Sequence, residues 1–219
     1  GNQAFAKFPE RIGQYKAPPP GGAISEHFNR TIPDAGFIGG YTIEIVGPHP
    51  CDFASRMTAA RGMWGEQLRR TMLEYNYWSG LGIVGEVLAQ ESNAVSLAAD
   101  EKDSHALPVA HVRFTFHYND RKLIQHATAQ MTRILEAAGG SETWTAGRTA
   151  HLLGGCRMGN NRDDSVVNSD CRAHDVTNLF ICDGSVFASS TAVNPSLTIQ
   201  AIAARAADRI RDMAARSEL

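Results

Sequence analysis

Long apolar runs are missing from this chain of 219 residues. No stretch approaches the roughly 18–20 consecutive apolar residues that cross a bilayer, so no membrane span is expected. The first thirty residues also lack the basic start and apolar core of a signal peptide. A surplus of one charge sign is missing too: the formal net charge is -2 and the isoelectric point is near 6.5. Without a basic footprint, nucleic acid is not an expected partner. Cysteine is scarce, with only Cys51, Cys156, Cys171 and Cys182 and no C-x-x-C pair. A disulfide framework does not suit a chain of this length, and the four are expected to be free thiols. What is present is 43% hydrophobic residues, enough for a sizeable core in one domain or two small ones. The chain opens Gly-Asn rather than with Met, which fits a processed or excised piece and leaves its compartment open.

Loop formers dominate residues 1–40, with Pro18-Pro19-Pro20-Gly21-Gly22 as the clearest breaker, so residues 1–30 read as an irregular lead-in. Residues 41–46, Y-T-I-E-I-V, alternate at period two and stop at Gly47-Pro48, as a half-buried strand does. Residues 64–75 have helical spacing. Two apolar segments, 81–88 and 94–98, flank A-Q-E-S-N and suggest a hairpin.

Residues 111–118 alternate as a strand, with Val112, Phe114, Phe116 and Tyr118 on one face and His111, Arg113, Thr115 and His117 on the other. Six residues of strand put the two histidines about 20 Å apart, too far to share a metal. Asn119 or Asp120 is then placed to cap a helix through 138, with Leu123, Ile124, Ala127, Met131, Ile134, Leu135 and Ala138 as its apolar stripe and Gly139-Gly140 closing it. The order of elements predicts an α+β fold, an antiparallel sheet with helices on one face.

Gly80, Gly82 and Gly85 fit G-x-G-x-x-G, and Asp100 follows Gly80 by twenty residues. The context is wrong for a dinucleotide site. Too few residues separate Gly85 from the next strand-like run for a crossover helix, and 72–79 is not the aliphatic run of a buried parallel strand. A glycine-containing hairpin is the expected structure.

The stretch 151–211 carries most of the chemistry. Asn194 suits an N-cap and Pro195 the first helical position, and Ile199, Ile202, Ala203, Ala206 and Ile210 then recur at helical spacing. The start of such a helix offers unpaired amides and partial positive charge to an anion or electron-rich atom.

Three motifs in this stretch, H-L-L-G-G-C-R-M-G at 151–159, N-L-F-I-C-D-G-S-V-F at 178–187 and N-P-S-L-T at 194–198, resemble in order and spacing the C-terminal motifs of glucose-methanol-choline oxidoreductases. The chain looks closest to bacterial sugar and sugar-acid dehydrogenase flavoprotein subunits. The resemblance implies FAD as cofactor and an alcohol or sugar as substrate. It makes His151 the catalytic base and Asn194 its active-site partner, with hydride passing to flavin N5. An imidazole of ordinary pKa, near ~6.5, accepts a hydroxyl proton at neutral pH, and an uncharged amide can stabilise the substrate oxygen without competing as a base.

By the same resemblance Asp183 and Gly184 contact the FAD ribityl and diphosphate region, and Asn194, Pro195 and Ser196 bring the helix start to the N1/O2 edge of the flavin. Residues 31–150 would be the substrate-binding domain, and 151–219 the catalytic motif and the return segment of an FAD-binding domain, including a strand at 178–182. The Rossmann half that opens this family is not found in the sequence. A longer polypeptide or a partner chain is therefore expected to supply it, and an electron-acceptor protein is a further possible partner. The compartment is left between periplasm and cytoplasm. Arg157 could reach an acidic substrate or pair with a carboxylate, and the motif does not choose between these.

Overall fold

The computed structural model describes residues 1–14, 23–24 and 34–219. In chain order the strands are β1 (Asn2–Lys7), β2 (Ala23–Ile24), β3 (Tyr41–Val46), β4 (Trp78–Gly85), β5 (Ala94–Lys102), β6 (Pro108–Arg113) and β7 (Ser141–Gly147). The helices are α1 (Pro50–Arg61), α2 (Gly65–Leu73), α3 (Tyr118–Ala137) and α4 (Ser196–Ala215). They fall into two compact units, one of residues 1–86 and 119–150, the other of 87–118 and 151–219.

The first unit is built on an antiparallel sheet in the order β2-β3-β4-β1-β7. Side chains alternate across a strand, and in β1 both faces are apolar: Ala4, Phe5 and Ala6 are all fully buried. Each face therefore needs a cover. Ala4 and Ala6 lie with Tyr41, Ile43 and Leu81 under Leu123, Ala127, Met131 and Leu135 of α3. Phe5 lies on the other face with Trp78, Tyr75 and Trp144, against Phe53 and Met57 of α1. Its ring stacks on Trp144 with centroids 4.6 Å apart. Helices thus cover both faces, not the one expected, because β1 has no polar side to leave in water.

β1 also corrects the reading of residues 1–30 as irregular, since 2–7 form an inner strand of the sheet. The breaker at 18–22 lies outside the described residues. The three motif glycines sit within β4, between β3 and β1. A Cβ on Gly80 would stand 2.4 Å from the Phe5 ring, one on Gly82 2.9 Å from Val46 and one on Gly85 2.7 Å from Leu123. The glycines make room for neighbouring side chains, and the strand runs on through Gly85 where a dinucleotide motif would open a helix. β4 does not form the expected hairpin with β5, which pairs with β6 instead.

Residues 65–73 are helical as the spacing suggests, followed by a short 3₁₀ turn at Tyr75–Tyr77. The apolar stripe of α3 is as expected, but the helix starts at Tyr118. Asn119 is engaged elsewhere: its side-chain amide accepts from the Ile38 amide at 2.9 Å and donates to the Ile38 carbonyl at 3.0 Å.

In the second unit β5 and β6 form a two-stranded sheet. β6 ends at Arg113, short of the expected 118. Beyond it the Asn93 side chain takes both backbone groups of Thr115, at 2.8 and 3.1 Å, where a partner strand would otherwise bond. The return strand expected at 178–182 is replaced by irregular chain with one antiparallel bridge, Arg172 to Phe180. No other strand lies beside it among the described residues. A small core of Val167, Ala173 and Val186 gathers these loops against Ile202 of α4.

Candidate functional site

All six residues singled out as site residues lie in the second unit. Three chain segments meet there. The first, from His151, is laced to the turn after Asp183 by Gly154 N–H to Gly184 C=O (3.1 Å), Cys156 N–H to Ser185 C=O (2.9 Å) and Met158 N–H to Val186 C=O (2.9 Å). Gly154 and Gly155 take φ of +88° and +108°, a region open to glycine at little cost.

Gly184 is the hub. A Cβ there would lie 2.9 Å from Leu153, two residues after His151, and 3.3 Å from Ile199 in the first turn of α4. The missing side chain is what lets the histidine segment, the Asp183 turn and the start of α4 pack together.

His151 itself is exposed and held at φ +55°, the left-handed region that few non-glycine residues occupy, Asn, Asp and His more often than the rest. It makes no hydrogen bond among the described residues. Such a conformation costs on the order of 1–3 kcal/mol and is found preferentially at active sites.

Asp183 caps the short 3₁₀ turn Gly184–Val186, its Oδ1 accepting from the Ser185 amide at 2.8 Å. Hydrogen bonding from Ser185, through its side chain first and its amide second, holds the Asp183 carboxyl below the ordinary carboxylate range.

The hydrogen-bonded helix α4 begins at Ser196, one residue later than expected. Pro195 takes the cap position in that its carbonyl receives the first helical bond, from Ile199 N–H at 3.0 Å, although its own backbone is already right-handed helical. Pro195 is buried, whereas Asn194 and Ser196 are exposed. The amides of Ser196, Leu197 and Thr198 precede the first closed turn and form the positive end of a 20-residue helix. The expected stripe is present: Ala206 is buried and Ile199, Ile202, Ala203 and Ile210 are partly so. Leu152, Val193 and Leu197, each next to a site residue, are exposed.

Further down, α4 is braced by the 168–172 loop. The Asn168 side chain accepts from the Asp170 and Arg172 amides (2.9 and 3.1 Å). Asp170 in turn faces Arg205 and Arg209 at 3.6 and 3.4 Å, and Arg205 donates to the Ser169 carbonyl at 2.6 Å. Within this loop burial pushes the Cys171 thiol pKa up, with the neighbouring Cys182 adding to the shift. The Arg157 guanidinium donates to the Asp164 carbonyl, 2.9 Å from Nε, and no salt bridge to a carboxylate is seen among the described residues.

Sequence reasoning missed Ser190. Its hydroxyl accepts from the Val87 amide at 2.9 Å and donates to the Val87 carbonyl at 3.2 Å, tying the segment that leads to Asn194 to the chain entering β5. The partners are 103 residues apart, and no local pattern signals such a pair.

Comparisons with known proteins bear on this site. The sequence profile described as GMC oxidoreductase matches residues 89–203, more than half of the chain. The 2-methyl-1,2-propanediol dehydrogenase of Mycolicibacterium austroafricanum is 35% identical over 85% of this chain and 35% of its own length. The fructose dehydrogenase large subunit of Gluconobacter japonicus is 36% identical over 57% of this chain and 24% of its own. The gluconate 2-dehydrogenase flavoprotein of Pantoea cypripedii is 26% identical over 81% and 31%. Among solved structures, pyridoxine 4-oxidase from Mesorbium loti superposes with a TM-score of 0.57 at 16% identity, covering 96% of this chain and 42% of that one. The chain spans about a third or less of the length of these curated relatives.

Proposed function

The chain belongs to the GMC oxidoreductases, and on that footing we propose that it is the substrate-binding and catalytic C-terminal portion of an FAD-dependent enzyme. Its substrate would be a sugar, polyol or other alcohol oxidised at a CH–OH group. One observation carries the reading: Gly184 brings the His151 segment, the Asp183 turn and the start of α4 into contact, so motifs scattered over 151–198 become one surface. The strained backbone of His151 supports it.

The residues present fit the flavin end of FAD. The free amides at the start of α4 suit an electron-rich ring edge, and the exposed side chains of Leu152, Val193 and Leu197 offer apolar contact to a flat ring. Asn194, Pro195 and Ser196 would hold that edge, and Asp183 and Gly184 the ribityl and diphosphate region. Among the described residues no glycine-rich dinucleotide fingerprint adds to that hold, since the glycines of β4 are packed inside a sheet. The dinucleotide-binding part would come from a longer polypeptide or a partner chain. An electron-acceptor protein fits the "large subunit" in the name of one relative.

When bound, the flavin supplies the acceptor for the hydrogen and electrons that leave the alcohol carbon. The chain's own residues do the rest. His151 takes the hydroxyl proton on its imidazole. The Asn194 amide donates to the substrate oxygen as charge develops there. On the same reading residues 31–150 would bind the substrate and residues 151–219 would face the cofactor.

A visible absorption spectrum tests this. The complete enzyme should show bound flavin that bleaches on adding an alcohol substrate. The isolated chain, with no dinucleotide-binding fold among the described residues, should retain little FAD and turn over none. A complete enzyme without flavin sinks the proposal and favours the rival reading, a flavin-free domain that binds a ligand or partner without activity of its own.

A further inference from the structure

The β5–β6 sheet has a face that nothing covers among the described residues. Val95 stands opposite Val112 and Leu97 opposite Ala110. Because side chains alternate, these four share one side, and the pairs Ser96–His111 and Ala94–Arg113 share the other. The strand pair is amphipathic in the way of a sheet with one buried side. Yet Val95, Leu97 and Val112 are 62%, 71% and 63% exposed. A two-stranded sheet is marginal by itself in water and gains its stability by packing an apolar face on something else.

Two facts narrow what that is. The sheet belongs to the same compact unit as His151, Asp183 and Asn194, and the chain entering β5 is held by Ser190, four residues before Asn194. Any body that completes the cofactor site must therefore meet this unit. The relatives, moreover, are roughly three times as long as the segment they share with this chain.

A second copy of the chain fits less well. Three aliphatic side chains and an alanine per copy fall short of the ~1,000 Å² that a stable symmetric interface needs. They suffice as one patch of a larger contact between domains.

We propose that the Val95–Leu97–Ala110–Val112 face is the docking surface for the dinucleotide-binding part of the enzyme, which lays an aliphatic strand or sheet face across it. The inference rests on the reading of the chain as the C-terminal portion of a flavoenzyme, and adds to it where the other part sits.

Cysteine labelling tests it. Leu97→Cys and Val112→Cys are made in the isolated chain and in the complete FAD-loaded enzyme, with Ser96→Cys on the polar face as control. Maleimide uptake is followed by peptide mass spectrometry, which separates the new sites from the four native cysteines. Positions 97 and 112 should label fast in the isolated chain and roughly a hundredfold more slowly in the enzyme, as protected groups do. Position 96 should change less. Equal rates at 97 and 112 in an enzyme that holds FAD overturn the docking surface and leave the flavoenzyme reading intact. An enzyme without FAD overturns that reading, and this inference with it. Slow labelling of the isolated chain that speeds up on dilution assigns the face to a second copy and overturns the proposal. Should the variants fold poorly, amide exchange across 94–113 in the unsubstituted proteins separates the same outcomes: protection only in the enzyme supports docking, and equal exchange overturns it.

Discussion

Gly184 leaves the space that Leu153 fills: a Cβ built on the glycine would stand 2.9 Å from Leu153 Cδ2. Its φ lies outside the left-handed region, so alanine here is opposed by the ends of the Leu153 and Ile199 side chains and not by backbone. Gly184→Ala should destabilise the protein by about 1–3 kcal/mol, the usual cost of overpacking, read as a lower midpoint in urea. Adding Leu153→Ala should recover part of that loss. If the double variant is as unstable as the two single losses added together, the contact does not matter.

His151 combines an exposed imidazole with a left-handed backbone. Asn tolerates that conformation better than most residues. His151→Asn should therefore keep thermal stability while lowering turnover of the complete enzyme by roughly 10²–10⁴. Unchanged turnover would move the base elsewhere.

Removing the Ser190 hydroxyl leaves the Val87 amide and carbonyl without their partner. Ser190→Ala should cost about 1–3 kcal/mol and speed amide exchange at Val87, whereas Ser190→Thr should restore protection.

Asp183 gives a pH dependence with a definite sign. Its carboxyl is held below the ordinary range in the folded protein by Ser185. The stabilisation is therefore present above the unfolded value, near 3.9, and is lost as pH falls through the lowered folded value. NMR of the Ser185 amide should show a titration below that of a free aspartate, and Asp183→Asn should abolish it.

The cysteines should separate by reactivity. Cys51 is exposed while Cys171 is buried, with its thiol pKa pushed up by that burial. Iodoacetamide at pH 8 should modify Cys51 readily and spare Cys171 until denaturant is added.

What could be read from the sequence depended on whether the cause was local. The stripe of α3 and the start of α4 follow from neighbours three and four residues apart, and both are found within two residues of where they were expected. The α+β class and the antiparallel sheet follow from the same patterns. β1 was illegible: N-Q-A-F-A-K has no β-branched residue, and its strand exists because Phe5 meets Trp144 and Gly80, far along the chain. Its buried Gln3 is bonded to Arg56, a partner equally remote. In the candidate site the motif residues were legible as motifs, while the contact that unites them at Gly184 and the Ser190 clamp were not. Both join segments that only the fold brings together.

The division into two units interleaves them along the chain, which passes from one to the other after residues 86, 118 and 150. Neither unit is a continuous stretch of polypeptide. Trimming the chain at any of these points leaves one unit short of a strand or helix, so they cannot be obtained as separate fragments by a single cut. During synthesis, β1 must wait for β4 and then for β7, the last strand of its sheet, before its two edges are paired. Such distant pairings slow folding, and until they form, both edges of the β1 strand stay open to misassociation. Expression at low temperature, with the whole stretch 1–150 intact, is the practical corollary of where six residues at the beginning of the chain come to rest.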